Sequence, residues 1–331
     1  MHPIIYTFPE TIPILGGASI YSYGVMMGLG IISSWYLGMH YSVREGLSYK
    51  TVTTAYALGI IFALIGARIA HLITNPQSWK FDQGFFPALF ASKCEGLVAY
   101  GGYIGGILAV LVYLKIKKVD FWSFMDCAAT PMLLGLGITR IGCLLAGCCH
   151  GIPTDVPWCL SFPPGSQAAS VYPGGMDGYS LCVHPTQIYE SLVGFFLVAV
   201  GLFAFKKRKF TGQVFLILIA CYAVARFLLE TIRGDTDRGY VIGSISTSQF
   251  IGIVLIFFVI GFYIYRRKKA PAPPEPLSKE EVQERLIEEG VIKVKDANKS
   301  AKGKKSQDKT AEPVHQEQKS SKKNKKKKKK K

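Results

Sequence analysis

The sequence predicts an all-α, polytopic integral membrane protein with seven transmembrane helices. Three observations carry this. Hydrophobic residues make up 49% of the 331-residue chain, and the mean hydropathy is +0.25. Apolar stretches of roughly 20 residues, enough for a helix to cross a bilayer core, recur along most of its length. The net charge of +17 is concentrated at one end: 23 Lys/Arg and 10 Asp/Glu lie between Arg266 and Lys331, and the rest of the chain carries only +4. The basic pI therefore describes a tail, and no nucleic-acid partner is expected.

The spans fall at roughly 17–38, 52–74, 96–114, 121–142, 187–205, 212–232 and 246–265. A Pro/Gly-rich connection, about 147–186, separates the fourth from the fifth. Residues 1–269 form the membrane domain and 270–331 a Pro/Lys-rich cytoplasmic tail. Met1–Leu15 holds no Lys or Arg, so no cleavable leader is expected. No repeat of fixed period is visible.

Flanking charge sets the orientation. Arg44 and Lys50 follow the first span, Lys115, Lys117 and Lys118 the third, Lys206–Lys209 the fifth and Arg266–Lys269 the seventh. The alternate loops carry only Lys80 and Lys93, then nothing, then Arg233 and Arg238. The positive-inside rule places the N-terminus outside and the C-terminus in the cytoplasm. In the tail, Ser278 and Glu281 have capping-box spacing for a short helix over about 279–289. The lysine-rich remainder, ending in Lys325–Lys331, is predicted to be disordered, as a solvated tail or an attachment to anionic lipid.

Polar residues inside the spans are the candidates for function, because an ionised group at membrane depth costs about 2.5–3.5 kcal/mol or more. Arg140 opens the run Arg140-Ile-Gly-Cys-Leu-Leu-Ala-Gly-Cys-Cys-His-Gly151. Arg226 and Glu230 are spaced i, i+4 on one face, with Arg233 a turn further on. Arg68 lies late in the second span, where it either snorkels outward or meets a lipid head group. Tyr100-Gly-Gly-Tyr-Ile-Gly-Gly106 opens the third span. Gly101 and Gly102 there have the spacing of close helix packing, or lie against substrate. His184-Pro-Thr-Gln-Ile-Tyr-Glu190 starts the fifth span with unusual polar density in Gln187, Tyr189 and Glu190. Tyr23 stands near the outer end of the first. With this orientation these groups collect toward the outer side.

Eight cysteines occur. Cys143, Cys148 and Cys149 crowd the end of the fourth span; Cys94, Cys159 and Cys182 lie in outer loops, where disulfides are permitted. A bond between the adjacent Cys148 and Cys149 would be strained. Cys148-Cys149-His150 with Cys182-Val-His184 offers thiolate and imidazole ligands, but the spacing matches no zinc motif. A disulfide involving Cys159 or Cys182, or simply buried small residues, are the other readings.

These motifs, in order over residues 9–265, resemble the prolipoprotein diacylglyceryl transferase family. Tyr23-Gly-Val-Met26 and Gly66-Ala-Arg68 belong to the set, with the Tyr100, Arg140, His184 and Arg226 segments quoted above. The resemblance implies transfer of the diacylglyceryl group of phosphatidylglycerol to the lipobox cysteine of secreted prolipoproteins. A thioether forms, glycerol-1-phosphate leaves, no metal or nucleotide cofactor takes part, and the location is the bacterial inner membrane. Three positions depart from the family pattern: Tyr100 stands at a usual His, Cys143 at a usual Asn and Cys148 at a usual Glu.

For that chemistry, arginine suits a phosphate better than lysine, because its planar fork meets two oxygens at once. Arg140 and Arg226 are the leading phosphate ligands, with Arg68 and Arg233 beside them and Glu230 orienting Arg226. Tyr23 and Tyr100 offer hydroxyls to glycerol or phosphate. His150 is the candidate general base, and His184 a ligand or a helix cap. Gly101, Gly102, Cys143, Gly151, Gln187 and Tyr189 complete the expected substrate contacts. Two competing classes fit parts of the sequence: a transporter or channel, and a thiol or metal protein built on Cys143, Cys148, Cys149 and His150. Neither accounts for the ordered motifs elsewhere.

Overall fold

The computed structural model describes residues 4–9, 19–74, 98–234, 240–242 and 245–292. Lys80, Lys93, Cys94, Arg238 and the lysine-rich tail from 293 onward lie outside them. The long helices are α1 (Ser22–Arg44), α2 (Tyr49–Thr74), α3 (Ala99–Ile116) and α4 (Phe121–Ala146). A short α5 (Gln167–Val171) follows, then α6 (Thr186–Lys207), α7 (Gln213–Glu230) and α8 (Thr247–Lys269). Among the described residues, α2, α4, α6, α7 and α8 are long and apolar enough to cross a membrane. The apolar stretch of α3, Tyr100–Ile116, is shorter, and α1 is interrupted by polar side chains.

Two small antiparallel sheets depart from the all-α expectation. Strand β1 (Ile4–Thr7) pairs with β2 (Ser19–Tyr21), with Thr7 opposite Ser19, and β3 (Tyr240–Ile242) pairs with β4 (Ile245–Ser246). Both precede a long helix. Ser246 then caps α8 through a capping box with Gln249, which satisfies amide groups that would otherwise be orphaned at its start.

Close backbone approach explains the helix pairing, since small residues allow van der Waals contact where lipid supplies no hydrophobic drive. Helices α2 and α3 meet along Gly59, Gly66, Gly101, Gly102, Gly105 and Gly106. A methyl group on Gly101 would strike the Gly66 carbonyl and Ala70. Helices α1 and α4 cross where a Cβ on Gly30 would stand 2.7 Å from the Gly135 carbonyl oxygen. Pro131 within α4 cannot donate to the ladder, and the Ser34 hydroxyl donates to its carbonyl at 2.7 Å.

At one end of the bundle Asp126, fully buried in α4, accepts from Gly212 N at 2.8 Å and Phe215 N at 2.9 Å. It caps α7 from a neighbouring helix. Arg208 bridges this carboxylate and Glu45. Arg266 stacks on Trp122 and donates to the Thr211 carbonyl, and after α8 the chain returns so that Leu277 N donates to Arg44 O at 2.7 Å. The compact unit runs Met1–Leu277. A second unit, Ser278–Lys331, contains α9 (Lys279–Glu288), capped reciprocally by Ser278 and Glu281.

Candidate active site

The opposite end of the bundle holds the polar cluster, and its geometry starts from a glycine contact. A Cβ on Gly194 of α6 would lie 3.1 Å from Gly137 Cα of α4. The Ser191 hydroxyl donates to the Gly137 carbonyl at 2.8 Å. Helices α4 and α6 are thereby locked at close range. Glu190, one residue before Ser191, then faces Arg140, one helical turn beyond Gly137.

Glu190 is the centre of the site. Its carboxylate, 3% exposed, forms ion pairs with Arg140 of α4, with Arg226 of α7 at 3.4 Å and with Arg233 at 2.9 Å. Arg226 also meets Glu230 at 2.7 Å, one turn along α7. The Ser246 hydroxyl, at the start of α8, donates to Glu230 at 3.2 Å. Three guanidinium groups thus face two carboxylates, a surplus of one positive charge. Arg140 and Arg226 keep 16% and 19% side-chain exposure, against 3% for the carboxylate between them. Sequence reading saw Glu190 only as part of a polar run.

The connection between α4 and α6 packs over this end. Its own core is Phe162, Ala168 and Val183, and a disulfide joins Cys159 to Cys182, one of the readings left open from sequence. The connection is stitched to the segment after α7: Ile152 N donates to Ile232 O and Gly234 N to His150 O, both at 3.0 Å. This pairing sets Arg233 beside the cluster. Gly147 ends α4 in the left-handed conformation, φ 73°, which glycine adopts without a Cβ penalty. The next turn is held from α6: the Thr186 hydroxyl and Gln187 amide donate to the Cys149 and Cys148 carbonyls, each at 2.7 Å.

That turn gathers the three thiols. The sulfur atoms of Cys143, Cys148 and Cys149 lie within 4.8 Å of one another. Hydrogen bonds from Cys143 and Cys148 hold the Cys149 thiol well below its ordinary pKa, with Arg233 and Arg140 acting the same way and burial opposing them. The Cys148 thiol moves upward through its bonds to the other two. Tyr23 of α1 is in electrostatic reach of all three thiols and of Arg140. Gly142 makes this possible, since a Cβ there would stand 3.2 Å from Tyr23 Cα.

Arg140, Arg226, Arg233, Glu230, Cys143 and Tyr23 are therefore brought together. Tyr100 stands at their edge: its hydroxyl shares a 3.1 Å hydrogen bond with Ser248, in the first turn of α8. Arg68 is half-buried on α2 beside the first turn of α3, apart from the ion pairs on Glu190. Tyr189 accepts from Trp158 at 2.6 Å and meets His184 Nδ1 at 3.3 Å, forming a polar rim.

Other expected contacts are taken up by the framework. Gly101 and Gly102 face α2, and Gln187 holds the Cys148 carbonyl. A Cβ on Gly151 would lie 2.6 Å from His184 Cβ and 2.7 Å from the Ile232 carbonyl, so Gly151 is a backbone crossing point. His150, the expected general base, is fully buried: Nδ1 lies 3.1 Å from the Gly151 carbonyl, the ring packs edge-on against Tyr172 at 5.6 Å, and Nε2 has no hydrogen-bond partner among the described residues.

Residues 9–265 match the family model described as prolipoprotein diacylglyceryl transferase. A phosphatidylglycerol--prolipoprotein diacylglyceryl transferase of Clostridium tetani is 34% identical over 251 residues, covering 76% of this chain and 94% of that protein. A second such transferase, from Clostridium perfringens, is 34% identical over 256 residues, with coverage of 76% and 93%. One from Dehalococcoides mccartyi is 32% identical over 261 residues, with coverage of 77% and 92%. Matched over this span and this similar to these transferases, the chain belongs to the prolipoprotein diacylglyceryl transferase family.

Proposed function

We propose that this protein transfers the diacylglyceryl group of phosphatidylglycerol to the lipobox cysteine thiol of secreted prolipoproteins. The observation that carries the reading is the convergence of Arg140, Arg226 and Arg233 on the buried Glu190. The phosphodiester of a lipid head group is an anion that these guanidinium groups can meet. Charge-assisted, forked hydrogen bonds from guanidinium groups are well suited to hold it.

The reaction is displacement at carbon. The precursor's sulfur forms a C–S bond, and the C–O bond to phosphate breaks with its electron pair on oxygen. The leaving group's charge grows from −1 toward −2 as this happens. Fixed guanidinium groups stabilise that growing charge more than the ground state, which is what lowers the barrier. Glu190 and Glu230 act through the arginines by fixing their direction. Tyr23 and Tyr100 border the site with hydroxyls for the glycerol moiety.

All seven long helices are taken to cross the bacterial inner membrane, N-terminus outside and C-terminus cytoplasmic. At roughly 1.5 Å per residue, the 23 residues of α1 reach far enough to span. The Cys159–Cys182 disulfide supports an outer location for the connection that covers the site. Basic residues at the ends of α1, α3, α6 and α8 support a cytoplasmic location for the other end. Large apolar side chains exposed on the helices, such as Phe196, Phe257 and Phe258, suit contact with lipid. Acyl chains then enter sideways between helices.

The test is incubation of purified protein with phosphatidylglycerol and a lipobox peptide, followed by mass analysis for the added diacylglyceryl group. Arg140→Ala is expected to lose at least about 100-fold in rate, as removal of one such electrostatic donor does, while remaining inserted. Wild-type rates for that variant would remove Arg140 from the mechanism.

A further inference from the structure

The acceptor in the proposed transfer is a thiol, and the end of the bundle that gathers the arginines gathers three thiols of its own. In the orientation proposed above this end faces the outer compartment, where thiols become disulfides. The Cys159–Cys182 bridge in the connection between α4 and α6 is one. A precursor cysteine capped there by another thiol has no nucleophilic sulfur to offer until the cap is removed.

The three-thiol turn has the parts for that exchange. The sulfur atoms of Cys143, Cys148 and Cys149 lie within 4.8 Å of one another. Joining two of them takes a movement of up to about 3 Å, the reach of a sulfur changing between staggered rotamers. Cys149 is half-buried and Cys143 buried, an accessible thiol with a sheltered one poised beside it. Cys149 also stands at φ 60°, a left-handed conformation that residues with a side chain rarely adopt. It is clamped there: Thr186 donates to its carbonyl and Gln187 to that of Cys148, each at 2.7 Å, and the Cys149 amide donates to Gln167 of α5 at 3.4 Å. Strain held in this way directs one sulfur toward the other two. Facing Cys149 are Cys143 and Arg140 of α4, Cys148, and Arg233 beyond α7. These groups favour its ionised form, the form that attacks a disulfide.

Cys148 has a different place. Its amide donates to the Cys143 carbonyl at 3.2 Å and its thiol to the same oxygen at 3.7 Å. A bond from it to the adjacent Cys149 would be strained, so resolution falls to Cys143.

We propose that this turn is a thiol–disulfide exchange site that uncaps the precursor cysteine, with Cys149 as the attacking sulfur and Cys143 as the resolving one. The identity of its substrate rests on the transfer reading above. The Cys149 thiolate attacks the capping sulfur, the S–S bond of the capped precursor breaks, and the precursor sulfur leaves with the electron pair. It is released as a thiolate, the species the transfer needs. Cys143 then attacks the Cys149 sulfur and expels the capping thiolate, and the Cys143 proton passes through water to that thiolate. Two protein thiols are oxidised to a Cys143–Cys149 disulfide, and the precursor disulfide is reduced to two thiols. An external dithiol reductant returns the pair to thiols by a second exchange.

The test uses the full chain in phosphatidylcholine nanodiscs, with a lipobox peptide whose cysteine is capped by glutathione. Without reductant, the wild type is expected to release one equivalent of uncapped peptide, and mass analysis of its digest to show a Cys143–Cys149 bond. Cys149→Ser should abolish release. Cys143→Ser should stop with glutathione held on Cys149. Cys221→Ser, which removes an exposed thiol on α7, should leave release unchanged. The new bond is read on the wild-type chain, so it decides the matter even where a variant fails to fold. No release, release retained in Cys149→Ser, or a new bond that excludes Cys143 would each overturn the exchange site. Diacylglyceryl transfer to an uncapped peptide by a protein that leaves the capped one intact would overturn it while leaving the transfer reading standing. Uncapping by a protein that transfers nothing to an uncapped peptide would overturn the transfer reading, and with it the precursor as the substrate of exchange.

Discussion

Glu190→Gln is the substitution that isolates the central feature of the site, since it removes charge while keeping shape. Each guanidinium carbon lies roughly 4–5 Å from the Glu190 carboxylate carbon, so no two of the three cations are more than about 10 Å apart. At an effective dielectric of about 20, their mutual repulsion is at least about 1.7 kcal/mol per pair, or about 5 kcal/mol together. The carboxylate offsets this with about 3–4 kcal/mol of attraction to each arginine. Without it, Arg140, Arg226 and Arg233 relax outward by about an ångström. Misplacement on that scale costs about 100-fold in rate, or about 2.7 kcal/mol of barrier.

The assay is steady-state diacylglyceryl transfer to a lipobox peptide, read by mass spectrometry. The Glu190→Gln and Arg140→Ala variants are compared with their double mutant. If the carboxylate acts through Arg140, the double mutant is scarcely slower than Arg140→Ala alone, because residues that act as a unit are strongly non-additive. A Glu190→Gln rate within twofold of wild type, or fully additive losses, would refute the reasoning.

Three further outcomes are expected. His150→Ala should lower stability by about 2–5 kcal/mol, as large-to-small core changes do, and leave the shape of the pH–rate profile unaltered; loss of one limb of that profile would restore His150 as base. Gly101→Ala should lower the thermal midpoint in detergent, since its methyl would meet the Gly66 carbonyl and Ala70, whereas Gly24→Ala, with nothing within 4 Å, should not. Cys159→Ser opens a bridge spanning 23 residues and should cost about 3 kcal/mol in chemical denaturation; an unchanged midpoint would show that the outer connection is held by its other contacts alone.

The long helices were legible because an apolar run long enough to span imposes helical hydrogen bonding on its own backbone. The pairing of Arg226 with Glu230 was legible for a similar reason: it is fixed by helical repeat within one segment. Glu190 was not, because its three partners come from α4, α7 and the segment beyond α7, and only the packing of Gly137 against Gly194 aligns them. Asp126 escaped notice too, since its partners are amide groups of a helix beginning 86 residues later. The pairing of β1 with β2, and of the outer connection with residues 232–234, depends on backbone contacts that hydropathy does not encode. The sequence placed His150 next to the thiols, but only the fold shows its ring turned into the Tyr172 side.

The ionic clasp of Glu45, Asp126 and Arg208 ties the end of α1, the start of α4, the end of α6 and the first turn of α7 at the pole remote from Glu190. Four segments thus share one charged fastening that stands apart from the arginines on Glu190, so a change in either cluster leaves the ion pairs of the other in place.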